Sequence, residues 1–356
     1  MTSRADLRGK KTLIVGGAGF VGSNLARRVL DREDPDELWI VDNLLSSERW
    51  SVPEDSRVRF VEGSIADTQI LAHLPSDLAF VFHLACYHGN QSSIADPIAD
   101  HDNNLMTSLR LFDHLSSSDR LEAVVYSAAG CGVAEKTNDQ PTATSEDAPI
   151  SMYQDSPYSI SKIVGELYGN YYWARHGLPF IAARFQNVYG PGEILGAGRW
   201  RGTAHTVWRN VVPTFVWKAL HGEALPLEDE GQGSRDFIYV GDVADGLIAC
   251  ARRGVPGDAY NIASGVETRI SELAEHINRI TVNSAGVESR PARTWDRSGR
   301  RYGSTEKAER EIGFRATIPM EEGLLATVAW MREHSAEIES AMDKHAFHLR
   351  ELHGNL

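Results

Sequence analysis

Tyr158 and Lys162 stand four residues apart in Ser156-Pro157-Tyr158-Ser159-Ile160-Ser161-Lys162, at the start of a helical pattern that continues through Gly165-Glu166-Leu167. That spacing puts both side chains on one helix face, one turn apart. A phenol beside a fixed cation can act as a base near neutral pH, because the ammonium favours the phenolate. The same lysine can hydrogen-bond the ribose of a nicotinamide nucleotide. Such pairs also occur on many solvated helices, so this one takes its meaning from what precedes it. Near the amino terminus Gly16-Gly17-Ala18-Gly19-Phe20-Val21-Gly22 follows a β-branched apolar run, and Ser23 to Leu30 has helical character. In this Gly-x-Gly-x-x-Gly turn, Gly17 is expected to make the tight bend, Gly19 to let a pyrophosphate approach the backbone, and Gly22 to let helix touch strand. The helix amino terminus adds N–H donors. A second run ends at Val41-Asp42, twenty residues after Gly22, where a carboxylate can accept from the adenosine ribose hydroxyls. Asp42 would repel a 2′-phosphate and Asn43-Leu44-Leu45 offers no Arg, so the expected cofactor is NAD rather than NADP.

These groups need a scaffold. Thr12 to Val15, Leu38 to Val41, Val58 to Val61, Leu78 to Leu84, Ala123 to Ser127 and Phe180 to Phe185 are short apolar runs separated by helical patterns. Six such runs, covered on both faces, predict an α/β fold with a doubly wound parallel sheet of the Rossmann type. After Gly190-Pro191 the rhythm gives way to Gly192 to Asn210, rich in Gly, Arg and Trp, which reads as a long functional loop. Helices are expected at Thr214 to Leu220, Val243 to Ala251, Ser271 to Ile280 and Glu321 to Arg332, with a helical, partly exposed tail from His334. The expected division is an NAD-binding domain over 1–190 with 235–268 returning to it. A smaller mixed α/β substrate domain and lid would cover 191–234 and 269–335, and a tail 336–356.

Of the 356 residues 42% are hydrophobic and 24% charged, the balance of a globular protein with ample core. A net charge of −13 sets the chain against nucleic acid and anionic membranes as partners. Cys86, Cys131 and Cys250 are odd in number and lack zinc-like spacing, so neither a disulfide framework nor a metal site is expected. Met1 to Lys11 is polar and no run approaches 18 apolar residues, which makes the cytoplasm the expected location.

With these features in place, the chain resembles the extended short-chain dehydrogenase/reductases that modify nucleotide sugars, typified by UDP-glucose 4-epimerases and sugar-nucleotide dehydratases. The resemblance covers about residues 10 to 335. It rests on the glycine turn, Val41-Asp42-Asn43-Leu44, His83-Leu84-Ala85, Asn104, the Tyr158 and Lys162 pair, Arg184-Phe185-Gln186-Asn187-Val188-Tyr189-Gly190-Pro191, Arg235-Asp236-Phe237-Ile238-Tyr239-Val240-Gly241-Asp242-Val243 and Tyr260-Asn261. It implies that Gly16, Gly19, Phe20, Val21, Gly22, Asp42, Asn43, Ser64, Ile65, Leu84, Ala85, Asn104, Tyr158 and Lys162 hold NAD. In such enzymes the tyrosine takes a proton from a sugar hydroxyl while NAD takes hydride from the same carbon, usually C4. By the same resemblance Asn187 and Asn210 bind substrate near its diphosphate, and Arg235 meets that diphosphate with paired, charge-assisted hydrogen bonds. Arg297 is a second candidate for this task. The segment from Gly192 to Asn210 would be a substrate lid, its Trp200 and Trp208 stacking on base or sugar and its arginines, Arg201 among them, meeting phosphate. His83 is expected either in the core or supporting a site residue from behind, and not as a catalyst. A homodimer is implied, through helices near Asn104 to Leu115 and Ser159 to Trp173.

Two departures bear on the reaction. Family members carry a small hydroxyl residue after the fifth strand that bonds the substrate hydroxyl beside the tyrosine. Here that position falls on Ala129, and Ser127 stands two residues earlier. Dehydratases follow it with Asp-Glu, where this chain has Gly130-Cys131, which disfavours a carboxylate-driven elimination. A cysteine at the second position is similar to GDP-mannose 3,5-epimerase, whose thiol and lysine exchange protons beside a C4 ketone, work suited to a thiol with a pKa of about 8.5. The corresponding lysine falls on Val211. The expectation is an NAD-dependent epimerase of a nucleotide-diphosphate sugar, most simply a 4-epimerase in which the ketose turns over and takes hydride back on its other face. The alternatives are 3- or 5-epimerisation through Cys131, a dehydratase, and a non-catalytic NAD-sensing protein that would need neither Tyr158 nor Lys162.

Overall fold

The computed structural model describes residues 5–130, 142–296 and 299–354. In chain order its strands are β1 (Lys11–Val15), β2 (Glu37–Asp42), β3 (Val58–Glu62), β4 (Leu78–His83), β5 (Ala123–Ala128), β6 (Phe180–Phe185), β7 (Asn187–Tyr189), β8 (Leu225–Glu228), β9 (Ser234–Tyr239), β10 (Ala259–Ile262), β11 (Glu267–Arg269) and β12 (Val287–Arg290). The helices are α1 (Phe20–Arg32), α2 (Thr68–His73), α3 (Asn90–Ala95), α4 (Pro97–Asp100), α5 (Thr107–Leu115), α6 (Pro157–His176), α7 (Val211–Leu220), α8 (Val240–Arg253), α9 (Ile270–Thr281), α10 (Met320–Glu333), α11 (Ser335–Asp343) and α12 (Ala346–Gly354).

One parallel sheet runs in the order β10-β6-β5-β4-β1-β2-β3. Because successive side chains of a strand point to opposite faces, one strand feeds two cores. Ile14 of β1 packs with Leu25 and Val29 of α1 and Leu247 of α8, whereas Leu13 and Val15 pack with Phe112 of α5 and Tyr172 of α6. Central β4 and β5 are buried at every residue, and edge strand β3 is partly exposed. Register then aligns the chemistry. Val15 lies opposite Val41 and His83, and His83 opposite Tyr126, so the next residues, Gly16, Asp42, Leu84 and Ser127, form a row along the carboxyl edge of the sheet. Ligands of doubly wound sheets bind along that edge.

A second core joins α7, α9, α10 and α11 through Phe215, Leu273, Leu324, Val328 and Ile338, beside the short sheets β11-β9-β7 and β12-β8. The sheet has a seventh strand beyond the six expected, because β10 is only Ala259-Tyr260-Asn261-Ile262 and its polar Asn261 interrupts the apolar run. Helix α7 starts at Val211, ahead of the expected Thr214, since Pro213 in the first turn forfeits no intrahelical hydrogen bond. The stretch from Gly192 to Asn210 has only a single 3₁₀ turn, Ala204–Thr206. It is fastened to the loop after β2. Gly198 N donates to Glu48 Oε1 at 2.9 Å, Arg199 to the carbonyls of Leu45 at 3.0 Å and Asn43 at 3.1 Å, and Arg209 Nη1 to Ser46 O at 2.7 Å. The tail joins the same seam, through Lys344 to Glu48 and a 2.8 Å contact of His345 Nε2 with Gly196 O. Among the described residues no helix is long and apolar enough to cross a membrane.

Candidate active site

The turn after β1 is built by close approach. Gly16 has a φ of +84°, and a Cβ there would stand 2.5 Å from Ala85 N. The left-handed bend therefore belongs to Gly16 and not to Gly17, whose added Cβ would meet the Ile40 side chain instead. A Cβ on Gly22 would lie 2.2 Å from Gly16 O, so only glycine lets α1 begin this close to the strand. Gly19 caps α1 without a side-chain hydrogen bond, leaving first-turn amides to a ligand. Asp42, at the end of β2, accepts from Ala18 N at 3.0 Å, Leu44 N at 2.9 Å and Ser47 Oγ at 2.8 Å. Its carboxylate braces the glycine turn as well as lining the cavity. Burial raises its pKa against the pull of those hydrogen bonds.

Helix α6 opens with Pro157 behind Ser156, whose Oγ accepts from Ser159 N at 3.3 Å. Gly165 and Gly169 let it lie directly on the sheet. Added Cβ atoms there would stand 2.2 Å from the Tyr126 hydroxyl and 2.1 Å from the Phe180 ring. This proximity carries Lys162 to the end of β5, where Nζ donates to Ser127 O at 2.9 Å and to Ser127 Oγ at 3.1 Å. Ser127 Oγ in turn donates to His83 O at 3.1 Å, so its hydroxyl is engaged in holding the lysine. His83 is fully buried against Ser108 Oγ, at 2.9 Å, and burial pushes it down to about 3.

Lys162 was expected to acidify Tyr158, but in this cavity the surroundings of the phenol act the other way. Burial dominates and pushes the phenol well above its ordinary range, and the Cys86 thiol and the Tyr126 and Asp100 side chains act the same way. Lys162 Nζ stands 6.0 Å from the Tyr158 ring, and burial lowers the pKa of the ammonium itself. The His88 ring lies edge-on to Tyr158 with centroids 5.8 Å apart, and burial pushes it down to about 3.

A cavity of about 440 Å³ joins these parts, a volume in the range of small-molecule sites. Gly16, Gly19, Phe20, Val21, Gly22, Asp42, Asn43, Ser64, Ile65, Leu84, Ala85, Ser127, Tyr158, Lys162, Asn187, Asn210 and Arg235 all line it. Ala129 does too, without a hydroxyl. Arg235 donates to Gly299 O at 2.8 Å and pairs with Asp296 at 3.1 Å. Four of the expected residues fall elsewhere: Trp200 stacks on His348 and Trp208 lies under Lys218, both outside the lining, and Asn104 and Arg201 stand behind it. Asn104 is buried behind the wall, accepting from Tyr87 N at 2.6 Å and donating to Asp100 at 2.7 Å, while its neighbours Asn103 and Thr107 line the cavity. Arg201 is buried behind His88 and outside the lining. Cys131 and Arg297 lie outside the described residues. Arg209, one of the lid arginines expected to meet phosphate, lines the cavity. Sequence reasoning missed Cys86, His88 and Glu193, which line it too. Cys86 and His88 were within reach of a reading that continued the row beyond Ala85; Glu193 had no local signal.

The glycine cradle, the uncapped start of α1 and the carboxylate at the end of β2 together fit a dinucleotide. Residues 12–263 match the model of the NAD dependent epimerase/dehydratase family, and the chain belongs to that family. Its members are enzymes that use NAD. Among particular relatives, the enzyme WbmF of Bordetella bronchiseptica, solved in complex with NAD+ and UDP, is 54% identical over 96% of this chain and 97% of that one, with a TM-score of 0.86. The UDP-glucose 4-epimerase of Mycolicibacterium smegmatis is 29% identical over 91% of this chain and 99% of its own length. A dTDP-glucose 4,6-dehydratase of Streptomyces antibioticus is 28% identical over 91% and 93%.

Proposed function

We propose that this chain is a 4-epimerase of a nucleotide-diphosphate sugar. The observation that carries the reading is that Tyr158 and Lys162 face the same cavity as the Gly16 to Gly22 cradle, while Gly130 stands where an eliminating enzyme would need a carboxylate. NAD, when bound, supplies the hydride acceptor and donor, and its oxidised ring adds the positive charge that favours a phenolate. Tyr158 then takes the proton of the sugar hydroxyl and later returns it. Lys162, fixed by Ser127, holds the ammonium beside that proton. Arg235 and Asn187 orient the diphosphate from β9 and β7. Domain 1–190 with 235–268 carries the cofactor, and 191–234 with 269–335 carries the sugar end. The exposed α6 side chains Ile160, Leu167 and Tyr171 support pairing of two copies through this helix.

A second reading, proton exchange at C3 or C5 beside a transient C4 ketone, has one observation in its favour: the Cys86 thiol lies against Tyr158. Incubation with UDP-, GDP-, CDP-, ADP- and dTDP-sugars in D₂O, followed by NMR and mass spectrometry, separates the two. C4 inversion without deuterium is expected; deuterium at C3 or C5 would sink simple 4-epimerisation. Tyr158→Phe is expected to slow turnover by about 10²- to 10⁴-fold, the scale of general acid–base catalysis.

A further inference from the structure

Asp100, Asn104 and Ser161 form a polar cluster behind Tyr158 and Lys162, and none of the three lines the cavity. They are 1%, 2% and 5% exposed. Asp100 closes α4 and leads into a π-helical turn, His101–Met106, against which α6 packs. Such wide turns are rare and recur at functional sites. Asn104 Nδ2 donates to Asp100 Oδ1 at 2.7 Å and reaches Ser161 Oγ at 3.2 Å. The Ser161 hydroxyl has two alternative acceptors, Tyr158 O at 3.0 Å and the Asp100 carboxylate. Two side chains therefore tie this carboxylate to the turn of α6 that begins at Tyr158 and ends at Lys162.

The cluster also answers a charge. Lys162 is buried, and the two oxygens that its Nζ holds, both of Ser127, are uncharged. A buried ammonium needs a negative charge nearby, because burial alone favours the neutral amine. Burial lowers the proton affinity of Lys162, and Cys86 and Asp100 raise it. Of these two groups, a carboxyl is the one that ordinarily carries charge near neutrality. Burial raises Asp100 itself, while Ser161, Asn104, Lys162 and His101 pull it back. The other titratable groups facing Lys162 are Tyr126, Tyr158 and the burial-depressed His83 and His88, and Tyr87 faces Asp100. The same carboxylate adds to the burial that raises the Tyr158 phenol, so what it contributes is a protonated lysine and not an acidified tyrosine.

We propose that Asp100 is a positioning residue of this site: its buried carboxylate anchors the turn of α6 that bears Tyr158 and Lys162 and serves as the counter-charge of the ammonium. The inference rests on the reading above that this pair moves the proton of the sugar hydroxyl. Asp100 lies outside the lining, so it acts through Lys162 and Ser161 and not on a ligand.

NMR titration of the full chain, saturated with NAD and carrying lysine labelled with ¹³C at Cε, tests this, the Lys162 resonance being assigned by its loss in Lys162→Arg. Asp100→Asn should move the midpoint of that resonance down by about one pH unit, the scale of one lost counter-charge, and Asp100→Glu should restore most of it. Asp100→Ser, equally neutral and smaller, gives the same reading where the amide does not fit. Ser161→Ala keeps the charge and cuts the tether, so its midpoint should stay in place while turnover slows by about 3- to 10-fold, the worth of one hydrogen bond. A midpoint that both neutral variants leave unmoved would make Asp100 a packing residue and overturn the proposal, as would Ser161→Ala with turnover unchanged. The titration is read without turnover, so a failed epimerisation assay and a carboxylate without effect on Lys162 are separate results.

Discussion

Replacing Glu193 by Gln should stabilise the cofactor-free protein in a pH-dependent way. Glu193 is 7% exposed, one oxygen accepts from Asn210, and the other is buried without a partner. Burial raises its pKa from 4.5 to about 7 against the opposing hydrogen bond from Asn210 and the charge of Arg209. A folded-state pKa above the unfolded one means that the folded chain holds this proton more tightly. The associated stability is full below pH 4.5 and is lost as pH rises through 7. A shift of about 2.5 units at about 1.36 kcal/mol each amounts to about 3 kcal/mol above pH 7, and to about 1 kcal/mol at pH 5. Gln keeps the oxygen that Asn210 needs and never ionises, so it escapes the loss. At about 2.1 cal/mol/K per residue the unfolding entropy of this chain is about 0.75 kcal/mol/K, and 3 kcal/mol corresponds to about 4 °C. Scanning calorimetry should find Glu193→Gln about 4 °C above wild type at pH 8.5, narrowing to about 1 °C at pH 5. A difference that stays flat across that range would mean that Glu193 is ionised at little cost, and the electrostatic argument would fail.

Two further perturbations probe the site and its surroundings. Ser127→Ala removes one of the two oxygens holding Lys162 Nζ, and a hydrogen bond to a charged group is worth about 1.5 to 3 kcal/mol, so the oxidation step should slow by about 10- to 100-fold. Its pH–rate profile should also move to higher pH; an unmoved profile would show that the backbone oxygen alone suffices. Leu167→Glu places a carboxylate on an α6 face where Leu167 is 58% exposed beside Tyr171 at 54%. Sedimentation should show wild type as a dimer and the variant as a monomer, because an unpaired charge is costly to bury, and a wild-type monomer at micromolar concentration would refute the pairing.

The sheet was legible because doubly covered strands are written as apolar runs, and Phe180–Phe185 was placed to the residue. Strand β10 was not, because a short strand with a polar centre owes its existence to its pairing with β6 and to the contacts of Asn261 with Glu146 and Thr144. The face shared by Tyr158 and Lys162 follows from helical periodicity alone. Their proton affinities do not, because desolvation depends on how deeply α6 sinks onto β5. Gly17 and Gly16 are equivalent as letters, and only the path of the chain past Ala85 decides which must be left-handed. Glu193 reaches the cavity only because its loop crosses back over the sheet edge, a long-range event without a local signature.

The seam between lid, β2 loop and tail gives the two ligands of this enzyme unequal freedom. Leu44 and Ser47, which grip Asp42, sit in the same loop whose Asn43, Leu45, Ser46 and Glu48 are bound by the lid and by Lys344. Freeing a dinucleotide from Asp42 therefore disturbs a joint shared by three stretches of chain, while a sugar leaving from the Arg235 end, where the proposed reading puts it, disturbs none of these bonds. Residence time is thereby ranked by architecture, with the cofactor outstaying many substrates. The proposed return of a hydride to the sugar it came from needs that ranking.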